Sequence, residues 1–403
     1  MKLRLMDIIV CPKCKVPFKL EIEHSETRDY SQEWFEKVNH FWAKHTASRG
    51  KIDMKSVWNS YQTEIIAGEL MCESCGERYP IEHGIPRILS PELRTISQGM
   101  GRGTPKTDER ITIMMDEIEP VKRDKKLFAQ IQMANQSNYG YEWQAFSHQY
   151  DQWEYLYKRN YVSEADEFFD GKLGLDAGCG NARYTLPPVN NGAEMIGLDL
   201  SNAIEAAYSK SVNVPTMHII QGDIYNLPFR ENSFDYAQSL GVVHITPDPE
   251  GALLAIKKVV KPKKKIFLYV YKTFEDENLL KHYLLKIASF MRRFTVKLPS
   301  NQLYYLLYLV VPVVLLIFYL PSWLLWQIPA MRKLSLKLPY NYEQYGNRRL
   351  RDMHMNLFDR FGNPVERRYN RQQMQDWMNR ADFESFTLKA GYGWTVTAVK
   401  RGS

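Results

Sequence analysis

Cysteine is scarce in this chain, five in 403 residues, too few for the disulfide framework of a small secreted scaffold. Neither sign of charge dominates: Lys and Arg total 53 against 46 Asp and Glu, a net +7 that admits anionic partners without demanding a nucleic acid. The opening MKLRLMDIIVCPKC has no long apolar stretch closed by small residues, so no signal peptide is expected. Internal repeats and low-complexity tracts are missing as well. With 44% hydrophobic and 25% charged residues the composition is that of a globular protein, and the length suggests two or three domains.

What is present begins with those cysteines. Four of them form two C-x-x-C pairs, Cys11 and Cys14 in VCPKC and Cys72 and Cys75 in MCESC. Four thiolates in two knuckles are the donor set of a tetrahedral structural zinc, which leaves no open position for water. A redox C-x-x-C is the alternative, and the sparse pairing suits a reducing compartment. The stretch between the pairs, from about Thr27 to Ala67, is rich in Trp, Phe, Tyr and charge and is expected to be helical. Residues 1–92 are therefore read as a zinc-ribbon domain with a helical insert. SQGMGRGTPKTDER cannot pack a core and places a linker over 93–136.

From Leu173 short apolar runs alternate with helix-length stretches: LGLDAG, EMIGLDLS, MHIIQGD, FDYAQSLG and KIFLYVY. That alternation predicts an α/β fold with a parallel sheet covered on both faces. It breaks after Tyr271 and resumes with RQQMQDWMNRADF, FESFTLKAG and WTVTAVK. A core over 137–272 and 369–403, interrupted by an insertion over 273–368, follows.

In LGLDAGCGNARY, Gly178 and Gly180 follow a buried strand, where a missing Cβ lets the backbone turn sharply and approach a ligand. Acidic residues then recur at successive strand ends: Asp176, Asp199 in GLDLS and Asp223 in QGDI. Ligands of open α/β sheets bind outside the carboxyl ends of the strands, so these carboxylates should line one crevice. A dinucleotide site would want G-x-G-x-x-G, but Arg183 stands at the third position. A carboxylate entering the turn suits a cation better than a pyrophosphate. S-adenosylmethionine, with a sulfonium, an amino group, a ribose diol and an adenine amine, offers partners to all three acids. Taken singly, each acid is equally well read as a solvated loop carboxylate or a helix cap.

These segments resemble the class I S-adenosylmethionine-dependent methyltransferases, small-molecule branch, through NYGYEW, LDAGCGNAR, GLDLS, QGDIYNLPF, NSFDYAQSLGVVH and KKVVKPKKK, over about 137–272 and 369–400. The resemblance implies a Rossmann-like seven-stranded methyltransferase sheet. It implies that Asp176, Gly178 and Gly180 hold the methionine end and Asp199 the ribose. Asp223 and Ile224 would hold the adenine, with Leu200 and Ser239 as further cofactor contacts. Two departures stand out: Ala182 where many members have a third glycine, and KPKKK where members show Pro-Gly-Gly, so that the turn before the fifth strand should differ in shape. DIIVCPKCKVPFKL and GELMCESCGERYPIEHGIPRIL resemble the zinc-ribbon family of the small activator subunit of tRNA and translation-factor methyltransferases. That likeness implies a fused accessory domain.

Methyl transfer from a sulfonium is an in-line displacement that chiefly needs alignment and desolvation. A general base is required for a poor nucleophile. His244, after the fourth strand, is the first candidate, against a structural imidazole. His354 lies where family members often place a His beside the substrate. Tyr139, Tyr141 and Trp143 resemble the family's aromatic lid over the cofactor, where a ring face would favour the sulfonium. A packed helix is the alternative for these rings, and Cys179 is read as packing.

Leu303 to Trp326 is 24 residues without a charge, above the length of a membrane span. Both ends return to the same sheet, and Pro312 and Pro321 are expected to break a helix. A hairpin entering one leaflet, a hydrophobic lid or a buried helical subdomain are the readings. Between Lys257 and Lys297 stand twelve Lys or Arg and three acids, which suits an anionic lipid surface. A cytoplasmic, membrane-associated methyltransferase with a small or lipid-linked acceptor is the function expected. An RNA-directed enzyme and a non-catalytic scaffold are the rivals.

Overall fold

The computed structural model describes residues 1–46, 53–94, 125–146, 153–273, 279–345, 350–363 and 365–402. The chain forms two compact units, one of Met1–Thr95, Tyr150–Tyr271 and Arg371–Ser403, the other of Ile96–Gln149 and Lys272–Asn370.

The first unit is built on a single sheet. Its strands are β1 (Lys19–Thr27), β2 (Thr63–Met71), β3 (Arg78–Glu82), β4 (Ile85–Ile88), β5 (Leu173–Ala177), β6 (Glu194–Asp199), β7 (Met217–Gly222), β8 (Phe234–Leu240), β9 (Val260–Tyr271), β10 (Phe383–Ala390) and β11 (Gly393–Lys400). Their order is β1-β2-β3-β4-β7-β6-β5-β8-β9-β11-β10. The last seven form the seven-stranded sheet that the resemblance implies, with β7, β6, β5, β8 and β9 parallel and β11 and β10 antiparallel. β5, β6 and β7 are buried almost throughout, which is why they read as continuous apolar runs. On one face Tyr157, Phe169, Tyr184, Met195, Ile219, Tyr236 and Phe267 form a common core.

The ribbon strands extend this sheet. β4 runs parallel to β7 through the pairs Arg87↔Gln221 and Ile88↔Gly222. Between the knuckles lie the helices Gln32–Thr46 and Met54–Gln62, the second capped by Asp53, whose carboxylate accepts from Lys55 N–H. Val38, Phe41, Trp42 and Tyr61 are their shared core. The helical expectation over 27–67 fails at Thr63, where β2 begins, because Thr63–Met71 is taken up by antiparallel pairing with β1, from Thr27↔Thr63 to Lys19↔Met71.

The expected turn at KPKKK is a bulge instead. Pairing jumps from Phe234↔Val260 to Tyr236↔Lys265 within one long strand, and Lys263 takes φ +63°. Ala182 also sits in the left-handed region, at φ +61°. Both residues hold a conformation that favours glycine.

The second unit is helical. Residues 125–136, expected in the linker, belong to the helix Lys125–Ala145. Leu279–Thr295, Ser300–Trp326 and Leu350–Gly362 follow. Pro312 and Pro321 do not break the apolar helix, contrary to the sequence expectation. A π turn at Leu315–Tyr319 widens it where the Pro321 ring would meet the Ile317 carbonyl.

Candidate active site and metal centre

The two cysteine knuckles are built alike. Lys15 N–H donates to Cys11 O and Gly76 N–H to Cys72 O, while Cys11 and Cys72 N–H donate to Val16 O and Glu77 O. Lys15 and Gly76, each four residues after the first cysteine of its pair, both have positive φ. Cys72 follows β2, whereas Cys11 follows a 3-10 turn, Leu3–Asp7, rather than a strand. The four sulfurs lie within 4.8 Å of one another, and Cys11 Sγ is 3.8 Å from Cys75 Sγ. Tetrahedral sulfurs about 2.3 Å from a zinc stand about 3.8 Å apart, so the cluster fits that ion.

The crevice is assembled at the carboxyl ends of β5, β6, β7 and β8. Gly178, at φ +87°, donates to Leu198 O at 2.7 Å, and a Cβ there would lie 2.5 Å from the Val242 side chain. Gly180 N–H donates to Asp199 Oδ2 at 2.8 Å, and Ser201 N–H to Asp199 Oδ1 at 2.7 Å. Asp199 thus closes the glycine turn, and burial holds its carboxyl above the usual range against these bonds. Asp176 is buried and accepts from Thr185 Oγ1 at 2.6 Å. Desolvation pushes it up to about 6, opposed by the Thr185 and Gln238 hydrogen bonds and assisted by Asp199.

Asp223, next to the end of β7, takes Tyr225 N–H at 3.1 Å and Asn226 Nδ2 at 2.7 Å. Ile224 is buried beside it, and the Leu200 carbonyl accepts from Gln221 Nε2. Ser239 Oγ donates to Ala177 O at 2.8 Å, lacing β8 to β5. Each ionised carboxylate retains acceptor capacity beyond these bonds. His244 is fully buried in the turn after β8, its ring 4.3 Å from that of Tyr271 at the end of β9.

Four positions went unread in the sequence. Asn181 is buried, and neither atom of its carboxamide has a partner among the described residues. An unmet buried polar group costs about 1 to 3 kcal/mol, so this amide is poised for a ligand. Gln238 accepts from Tyr157 OH at 2.6 Å and donates to Tyr184 O at 2.8 Å. Lys210 clamps the turn by donating to Asn181 O, and burial with nearby Arg183 pulls its ammonium down to about 8. Thr185 completes the set. An Asn beside the glycines was the one signal available. The glycine cradle, the acid series and the orphan amide together fit a cationic adenosyl ligand.

Tyr139, Tyr141, Trp143 and His354 belong to the second unit. Tyr139 OH donates to Asp359 at 3.3 Å, and Tyr141 packs on Tyr304 and Phe358. His354 donates from Nε2 to Tyr304 O at 2.8 Å among the rings of Phe146, Tyr304 and Tyr308. The side chain of Trp143 lies outside the described residues.

At the amino ends of β6 and β7, away from the crevice, a buried ionic cluster joins ribbon to core. Arg4 donates through Nε and Nη2 to both oxygens of Glu194 at 3.1 Å, and Tyr61 OH and His218 Nε2 meet Glu194 Oε1 at 2.9 Å. Trp42 Nε1 donates to Tyr61 OH, and Lys2 Nζ to Ser211 O and Met217 O.

This architecture, a mostly parallel sheet with a glycine turn after β5 and an acid at the ends of β5, β6 and β7, is that of the Rossmann-like methyltransferases. A family described as methyltransferase domain matches residues 175–268, and one described as Trm112p-like protein matches 2–84, so the chain joins a Trm112p-like domain to a methyltransferase domain. It is similar to the demethylmenaquinone methyltransferase of Staphylococcus haemolyticus, 36% identical over 96 residues, 23% of this chain and 40% of that protein. That of Staphylococcus carnosus is 35% identical over 109 residues, 26% and 45% of the two chains. The chain thus spans less than half the length of these curated relatives. Among solved structures, a possible histamine N-methyltransferase of Thermotoga maritima covers 65% of this chain and 99% of its own, at 13% identity and TM-score 0.33. The complex of the Haloferax volcanii Trm112 methyltransferase activator with a putative methyltransferase covers 34% and 61%, at 21% identity and TM-score 0.27.

Proposed function

We propose that the chain is an S-adenosylmethionine-dependent methyltransferase acting on a small or lipid-linked hydroxyl, carbon or carboxyl acceptor at the cytoplasmic face of a membrane. The observation that carries this reading is the crevice itself, where the Gly180 N–H grips Asp199 while Asp176 and the Asn181 amide stand beside it. Bound there, the cofactor supplies a methyl group on a sulfonium, an electrophile with a good leaving group. The chain's own residues do the rest. Asp176 binds the amino group, Asp199 the ribose hydroxyls, and Asp223 with Ile224 the adenine. His244 holds the acceptor's proton at a ring nitrogen as the new bond forms. The structural zinc carries no part of the reaction.

The lipid-linked acceptor is supported by the named activity of the curated relatives and by the apolar insertion. Isothermal titration with S-adenosylmethionine, then incubation of the labelled cofactor with a membrane extract, tests it: label should enter the organic phase. Cofactor binding with no labelled product in any fraction would leave a scaffold. The Trm112p-like match and the +7 charge favour an RNA-directed second reading. It predicts label in RNA and binding that falls linearly with log salt.

A further inference from the structure

Two helices of the second unit leave large apolar side chains exposed. In the helix Ser300–Val314, Leu303, Leu307, Val311 and Val314 form one buried stripe, on the side packed against Leu350–Gly362. At about 100° per residue, Tyr305, Leu309, Val313 and Leu316 point away from that stripe, and all are exposed. Leu309 is 73% and Leu316 66% exposed. The helix Leu279–Thr295 is inverted in the same sense: Tyr283, Ile287, Phe290, Met291 and Phe294 share an outward stripe, bordered by the exposed Lys286 and Arg293. Soluble monomers rarely expose apolar patches of this size.

Charge identifies what covers them. From Asn278 to Tyr342 the chain has no Asp or Glu, yet it carries Lys281, Lys286, Arg292, Arg293, Lys297, Arg332, Lys333 and Lys337. A second copy would bring the same positive face to this one and repel it. An anionic surface would not.

We propose that this face docks on an anionic bilayer, with Ser300–Trp326 lying in the membrane plane and its exposed arc at the headgroup and acyl boundary. The helix is 27 residues long, about 40 Å at 1.5 Å per residue, and so could span. Crossing would carry its partner helix, with Asp352, Asp359 and Arg360, into hydrocarbon. Lying flat buries the apolar arc and sets the basic rim on lipid phosphates. This deepens the membrane reading above and rests on it for the acceptor, while the docking itself needs no cofactor.

Cosedimentation of the full chain with vesicles of phosphatidylcholine, alone or with phosphatidylglycerol, tests the proposal. Binding should be at least tenfold stronger to the anionic vesicles and should fall at high salt. The variant K286E/R293E/K333E should lose on the order of a hundredfold. L309Q/L316Q should weaken binding with an unchanged circular dichroism spectrum. Equal binding to both vesicles, or none, overturns the proposal. So does a soluble dimer that L309Q/L316Q converts to monomer, since a second copy would then be the occupant. Titrating S-adenosylmethionine into the same preparations separates the two readings: docking without cofactor binding sinks methyl transfer alone, and cofactor binding without docking sinks the membrane face alone.

Discussion

Replacing Arg4 by Met would strip the guanidinium from Glu194 and leave a fully buried carboxylate with Tyr61 and His218 as its remaining hydrogen-bond partners. In the native chain Arg4 and His218 hold Glu194 down at about 2 against the desolvation of its burial. Lowering that carboxyl from 4.5 to about 2 corresponds to about 3 kcal/mol, within the range of about 3 to 5 expected when one partner of a buried pair is removed. The sign with pH separates this account from generic damage. Glu194 is depressed, so its contribution is complete above about 4.5 and is lost as pH falls toward 2. His218 is held below 6.5 chiefly by desolvation, so acid also costs stability as pH falls through 6.5. In Arg4→Met the carboxyl should rise and take a proton, so the deficit relative to the native chain should shrink between pH 7.5 and 5. Urea unfolding at both pH values, with Arg4→Met/Glu194→Gln as the closing corner of a double-mutant cycle, measures it. A loss below about 1 kcal/mol, or a deficit that grows in acid, would refute the argument.

Three further outcomes are expected. Asp176, raised to about 6, must ionise to hold a cationic ligand, so affinity for S-adenosylmethionine should be level above pH 7 and fall by up to tenfold per unit below 6. The cofactor-free chain should meanwhile gain from the same group as pH drops from 6 toward 3.8. Calorimetric titration across pH reads the first, and Asp199→Ala should weaken the same binding by about 1 to 3 kcal/mol, an unchanged affinity removing it from the site. Cys72→Ser should release the metal, with one zinc per native chain and none in the variant by elemental analysis. Lys263→Gly should raise stability by up to about 1 kcal/mol in thermal melts, since the positive φ costs a side chain about 1 to 2 kcal/mol and glycine returns part of that as chain entropy.

The α/β class was readable because β5, β6 and β7 are buried on both faces and must be largely apolar. The cysteine cluster was readable because metal spacing is local. What escaped depends on contacts far apart in sequence. Nothing near Arg87 announces Gln221 as its neighbour across β4 and β7, and Arg4 finds Glu194 across 190 residues. Asn181 and Gln238 are ordinary polar residues until burial gives them meaning. Tyr139 and Tyr141 carried a family pattern, and the 21-residue helix Lys125–Ala145 places both in the second unit. Pro312 and Pro321 misled because a local widening of the helix is invisible in residue preferences.

The parallel join of β4 to β7 has one more implication. A methyltransferase core deprived of residues 1–92 would bare β7 as a mostly apolar margin with free amide and carbonyl groups, a template for sticking to another molecule. In the intact chain that margin is moved out to β1, whose Lys19, Glu21, Glu23 and Glu26 are charged and whose pairing with β2 is irregular, both deterrents to further strand addition. The ribbon thus serves as a selvedge, keeping the woven sheet from fraying into aggregates.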